Sequence, residues 1–193
     1  MNRLSLFALA LFAIMPARAM HPRSVEMMEG EAGVGISFPL GGYRGGHHNE
    51  SASLSLEGRY NFRNTPWDAG LAAVLSCAER RFGEYVEDTE SSQNNRTVSI
   101  LAVSHYNINQ GGKFNPFVGL GVGAAFCNVV GTRVYPLHGW YAAVAPRFGM
   151  EFVSHARITM HFNLSRKGFN NFTLTFGAVL GGSHKPERRQ KTQ

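Results

Sequence analysis

Only two cysteines, Cys77 and Cys127, occur in the 193 residues. That excludes a disulfide-dense small fold and a four-thiolate zinc centre. Charge is scarce as well: Asp, Glu, Lys and Arg make up 17% of the chain, against about 25% in ordinary soluble domains. Disorder requires low hydrophobicity together with high net charge, so this composition excludes it. One long apolar run exists, at the start, and mean hydropathy is −0.16. A bundle of membrane helices, each needing about 20 apolar residues, is therefore excluded too. What is abundant is glycine, with 22 residues, and phenylalanine, with 14. The length suits one domain.

Residues 1–19 read MNRLSLFALALFAIMPARA. Arg3 gives a positive start, an apolar stretch follows, Pro16 ends it, and Ala17-Arg18-Ala19 fits a small-x-small cleavage site. This pattern predicts an export signal over 1–19, with Met20 first in the exported chain. A short periplasmic segment over 20–30, a strand-rich body over 31–182 and a basic tail over 183–193 are expected to follow. Export takes the protein away from nucleic acid, despite a pI near 9.7.

From Glu31 onward the apolar period is two, the strand period. Val34, Ile36 and Phe38 alternate with Gly35 and Ser37; Leu54, Leu56 and Tyr60 alternate with Ser55, Glu57 and Arg59. The same pattern recurs around Ala69–Leu75, Val98–Ile108, Val118–Phe126, Ala142–Phe152, Ile158–Leu164 and Phe172–Leu180, which predicts eight strands. The connections vary in length. Those over 41–50 and 79–96 are long, that over 128–139 is medium, and those over 63–66, 109–113 and 153–155 are short, as is the last, over 166–168, which departs from the alternation. Outer membrane barrels have short periplasmic turns and longer outer loops. An even strand number places both termini on the periplasmic side.

The apolar parity carries Leu, Ile, Val, Phe and Ala, whereas the other parity carries Gly, Ser, Thr, Asn and a few charges. A soluble sandwich would expose Lys and Glu on its polar face. A barrel in lipid reverses this arrangement, with an apolar outside and a polar inside. Closure pairs every strand, as lipid requires, and eight strands leave a lumen just filled by side chains. The predicted fold is all-β: an eight-stranded antiparallel up-and-down transmembrane barrel. Two aromatic girdles are expected. One comprises Tyr60, Phe62, Trp67, Tyr106, Phe114, Phe117 and Phe152 near the short turns. The other comprises Tyr43, Phe82, Tyr85, Phe126, Tyr135, Trp140 and Tyr141 toward the loops.

Asn115-Pro116-Phe117-Val118-Gly119-Leu120-Gly121-Val122-Gly123 is similar to a P-[FY]-V-G-x-G-x-G strand. Pro146-Arg147-Phe148-Gly149-Met150-Glu151 is similar to the strand that follows it, and residues 171–182 to a closing strand. With these motifs the chain resembles the bacterial outer membrane protein beta-barrel domain family, the small eight-stranded barrels, over 31–182. The resemblance implies a bacterial outer membrane location with both termini periplasmic. The surroundings would be outer membrane lipid and lipopolysaccharide, insertion would use the barrel assembly machinery, and the protein would be a monomer. It implies no enzyme activity, cofactor or metal. A structural or surface-interaction role in the cell envelope is expected, with a surface ligand that the residues do not name. A small-solute porin is the alternative, and a lipid-modifying barrel enzyme comes after it. Many relatives end on an aromatic residue, whereas this chain continues into the tail SHKPERRQKTQ.

The lumen parity holds Glu57, Arg59, Asp68, Arg147, Glu151 and Arg157, three acids against three bases, together with His161. Buried charge survives only when paired, so these residues are expected to form one balanced polar network that fills the barrel. Small barrel lipases use a His-x-Ser pair, whereas this chain has His161-Phe162-Asn163. Ser165, four strand residues from His161, would lie about 13 Å away, beyond proton-transfer reach. His47 and His48 sit in a glycine-rich loop, with no suitably spaced carboxylate or cysteine to complete a metal site. Cys77 and Cys127 end strands separated by a third, and a disulfide between them would need a local bulge.

Overall fold

A computed structural model describes residues 27–40, 47–82, 91–131, 138–153 and 155–181. The expected signal, the basic tail, Tyr43, Tyr85 and Tyr135 lie outside the described residues. So do the side chains of Phe82, His47 and His48. Nine strands follow in order: β1 (Met28–Pro39), β2 (His47–Asn49), β3 (Ser51–Asn61), β4 (Trp67–Phe82), β5 (Ser91–Asn107), β6 (Phe114–Gly131), β7 (His138–Phe152), β8 (Ala156–Asn163) and β9 (Asn171–Gly181). β2 is a three-residue continuation of β3 along β4, so the wall has eight strands.

β1 pairs antiparallel with β3, each strand from β3 to β8 pairs antiparallel with the next, and β1 pairs with β9 from Glu29↔Gly181 to Pro39↔Asn171. That seam joins the ends of the meander, so the sheet closes on itself. Closure removes the open edge that lipid would not tolerate. No described helix is long and apolar enough to cross a membrane, which says nothing of strands. Met28 and Gly181 lie at one end of the barrel, with the short turns over 62–66, 108–113 and 153–155. This is the turn end; the opposite, loop end carries the connections over 40–46, 83–90, 132–137 and 164–170.

The parity predicted from sequence sets the two faces. Leu54, Leu56, Leu71, Ile100, Val122 and Phe176 are exposed, while Ser53, Ser55, Thr97, Ser99, Thr173 and Thr175 are buried in the lumen. On β1, β3, β6, β8 and β9 the outward positions carry no Asp, Glu, Lys or Arg. A water-facing surface this apolar would be an aggregation liability, whereas for a lipid-facing one it is required.

Three expectations are corrected. The barrel begins at Met28, not Glu31. The β4–β5 ladder runs on to Phe82↔Ser91, so 79–82 and 91–96 of the loop expected over 79–96 are strand. Likewise β6 and β7 extend into the loop expected over 128–139. Alternation marks where the lipid-facing band ends; the hydrogen-bonded ladder goes on past it with polar residues. The third correction concerns the girdles. At the turn end Tyr60–Phe62, Trp67–Tyr106 and Phe114–Phe152 pack edge to face outside, with ring centroids 5.5, 5.2 and 5.7 Å apart. Phe117 instead points into the lumen, where it is fully buried. Toward the loop end Phe126 packs on Trp140 outside, but Tyr141 turns inward onto the lumen core.

Candidate functional site: the charged layer of the lumen

Arg59 organises the turn-end half of the lumen. It sits on β3 at the inward parity, 2% exposed. A guanidinium buried this deeply needs several acceptors in fixed positions, and Arg59 has them. Its Nη1 donates to Glu31 Oε2 (2.7 Å) and Glu57 Oε1 (3.2 Å). Its Nη2 and Nε donate to Glu29 Oε2 (2.9 and 3.3 Å). Glu151 of β7 faces the same guanidinium at 3.5 Å. Strands β1, β3 and β7 are thus tied together through one side chain.

Arg147 of β7 reaches Glu57, not Glu151, with Nη2 2.6 Å from Oε2. Glu57 therefore bridges two arginines. Arg157 of β8 lies 3.6 Å from Glu31 and 3.9 Å from Glu151. Its guanidinium stacks over Phe117, 3.6 Å from the ring centroid, a cation–π contact that a buried arginine favours. β9 contributes a space. A Cβ at Gly177 would meet Glu31 Oε1 at 2.5 Å, so glycine there leaves room for the carboxylate.

Asp68 stands apart from the arginines. Its Oδ1 accepts from His105 Nδ1 (2.7 Å) and its Oδ2 from Asn107 Nδ2 (2.8 Å). Asn107 Oδ1 in turn accepts from Asn115 Nδ2 at 3.0 Å. This second chain of hydrogen bonds ties β4, β5 and β6 at the turn end. His105 Nε2 lies 4.0 Å from Glu57, where the two groups meet.

The geometry brings Glu57, Arg59, Arg147, Glu151 and Arg157 together, as their shared parity predicts. It overturns two features of the expected set. His161 is buried on β8 beside Arg147, but neither ring nitrogen has a hydrogen-bond partner among the described residues. It is therefore not part of the network. The charge is not balanced either. Glu29 and Glu31 join the layer, so four carboxylates (Glu29, Glu31, Glu57 and Glu151) face three guanidiniums, and Asp68 is a fifth, held by His105. Glu29 falls in the expected leading segment over 20–30, since the apolar alternation starts only at Glu31.

Toward the loop end the lumen carries no ion pair among the described residues, and an apolar cluster lies beside buried Ser37, Ser53, Thr97, Asn171 and Thr173. Leu101, Val103, Ala125, Cys127, Val129, Ala143, Ala145 and Phe169 form one buried cluster. Runs that are apolar on both parities, Leu71–Leu75, Ile100–Val103, Ala124–Cys127 and Tyr141–Ala145, hint at this in the sequence. Cys77 and Cys127 are both free. Cys77 pairs with Arg96 of β5, whose neighbour Thr97 pairs with Cys127 of β6. Ser165 Oγ contacts Cys127 Sγ rather than His161, so no nucleophile–base pair forms there. The described residues contain no group of three or more potential metal ligands.

No family model and no curated protein matches the chain. Several solved structures do. Ail, the attachment invasion locus protein of Yersinia pestis, in complex with the heparin analogue sucrose octasulfate, is 18% identical with a TM-score of 0.47. That match covers 79% of this chain and 99% of that one. Neisserial surface protein A is 9% identical with a TM-score of 0.49, over 82% and 99%. The N-terminal β-barrel domain of Pseudomonas aeruginosa OprF is 10% identical with a TM-score of 0.45, over 81% and 98%. Each of the three is matched over nearly its whole length, with a TM-score below 0.5.

Proposed function

We propose that this chain is a non-enzymatic protein of the bacterial outer membrane that works as a closed barrel, through its wall and its loops. The observation that carries this reading is Arg59, held by Glu29, Glu31, Glu57 and Glu151 from three strands. An eight-stranded lumen is barely wider than its side chains, and cross-links from wall to wall leave a solute no path. The apolar outward face supports residence in lipid and lipopolysaccharide after insertion by the barrel assembly machinery. The short turns and both barrel ends would face the periplasm, with the loops outside as the contact surface of a monomer. The lumen histidines and serines support no catalytic role, since His161 and Ser165 do not meet.

A second reading is favoured by one observation, the excess of carboxylates over guanidiniums in the lumen. Were the layer to open, the path would attract cations and repel anions. Placement is tested by fractionating cells and labelling an epitope inserted between β4 and β5, and another after Gly111 in the 108–113 turn. The protein should be found with the outer membrane. Intact cells should expose the first epitope and hide the second. The reverse pattern, or recovery in the soluble fraction, contradicts the reading.

A further inference from the structure

β8 is the shortest barrel strand, eight residues beside the fifteen of β7. Its ladder with β7 ends at the Val144↔Leu164 bridge. From there the chain leaves the wall and crosses the mouth of the barrel. Ser165 Oγ lies 3.7 Å from Cys127 Sγ on the lumen face of β6. Arg166 lies over the Tyr141 ring of β7, 4.7 Å from its centroid, and donates to the Tyr141 hydroxyl. The carbonyl of Gly168 accepts from Asn95 Nδ2 of β5 at 2.8 Å, three strands away around the wall. Gly168 has φ 95°, which glycine adopts without strain, and the chain then turns down. Phe169 enters the lumen and is 5% exposed. It belongs to one buried cluster with Leu101, Val103 and Val129, in which the small side chains of Ala72, Ala125, Ala143 and Ala145 take up little of the lumen.

We propose that residues 164–170 are a lid that closes the loop end of the barrel, with Phe169 as its stopper and Cys127 sealed beneath it. The lid is a second closure in series with the charged layer, at the opposite end. It is distinct from that layer: the contacts described above run to Cys127, Tyr141, Asn95 and the apolar cluster, not to Arg59 or its carboxylates. Leu164 still bridges to Val144, but past it the described fastenings are one ring, one cation–π contact and individual hydrogen bonds, among them Leu40 N–H to the Asn170 carbonyl (2.8 Å), and no strand ladder. Segments held this way open at far lower cost than the sheet around them. The lid is therefore the element that can move while the barrel stays folded.

Cys127 is a built-in reporter, since it is fully buried and touched by the lid itself. A Cys77→Ser protein, folded in detergent micelles, leaves it as the single thiol. The rate of its reaction with a water-soluble aromatic disulfide is followed in the folded protein and, as the upper limit, in urea. The folded parent should react far more slowly than the unfolded chain. Phe169→Ala should speed the reaction by about tenfold or more, as a local opening becomes easier. Asn95→Ala, which removes one tether, should speed it about fivefold. Circular dichroism shows which variants are folded, and if Phe169→Ala is not, Asn95→Ala decides. A parent that reacts as fast as the unfolded chain, or folded variants no faster than the parent, overturns the lid.

Discussion

Arg59 Nη2 lies 2.9 Å from Glu29 Oε2, a contact that joins β3 to the first residues of β1 inside the lumen. The same guanidinium serves Glu31, Glu57 and Glu151. Its removal and the removal of one carboxylate should therefore not be equivalent. Arg59→Ala leaves several buried carboxylates facing one another, and losing one partner of a buried pair costs about 3–5 kcal/mol. Glu29→Gln keeps an acceptor for Arg59 and relieves repulsion among the acids. Urea unfolding of the reconstituted barrel should show a large drop in midpoint for Arg59→Ala and a small change of either sign for Glu29→Gln. Equal losses would contradict the acid excess.

The partner of Arg147 is Glu57, at 2.6 Å, although Glu151 is nearer in sequence. A double-mutant cycle on Arg147→Ala and Glu57→Ala should show a coupling of about 1–3 kcal/mol, the double being less damaged than the two singles added. The cycle on Arg147 and Glu151 should show a much smaller coupling. Larger coupling in the second cycle would mean the ion pairs are arranged otherwise.

Leu120 points outward on β6 and is 40% exposed. Leu120→Arg should cost about 2–4 kcal/mol if that surface lies near the bilayer midplane. Leu120→Met, which stays apolar, should be nearly neutral. On a water-facing surface the arginine would be harmless. Folding free energies of the two variants in lipid vesicles therefore report on the environment of the outer face.

How much of this was legible in the sequence depends on what each residue answers to. Outward positions answer to lipid alone, so Val34, Leu54, Ile100 and Phe176 announce their face locally, and the strand number follows. Lumen positions answer to partners far away in the chain. Glu29 and Arg59 are 30 residues apart and adjacent in space, and nothing near Glu29 marks it as inward. Parity also gives direction without height. It places Phe117 beside the short turns but does not show that it stacks with Arg157 instead of meeting lipid. Phe169 and Gly168 lie in a short connection that reads as a plain turn. Their inward course depends on small residues contributed by other strands.

The central claim is that the folded barrel is closed. The most direct measurement is the ionic conductance of the purified wild-type protein in a planar lipid bilayer, with insertion confirmed independently by protease protection. The closed layer around Arg59 predicts no steady conductance. Steady, cation-selective current through the wild-type protein would contradict the account and put the channel reading in its place.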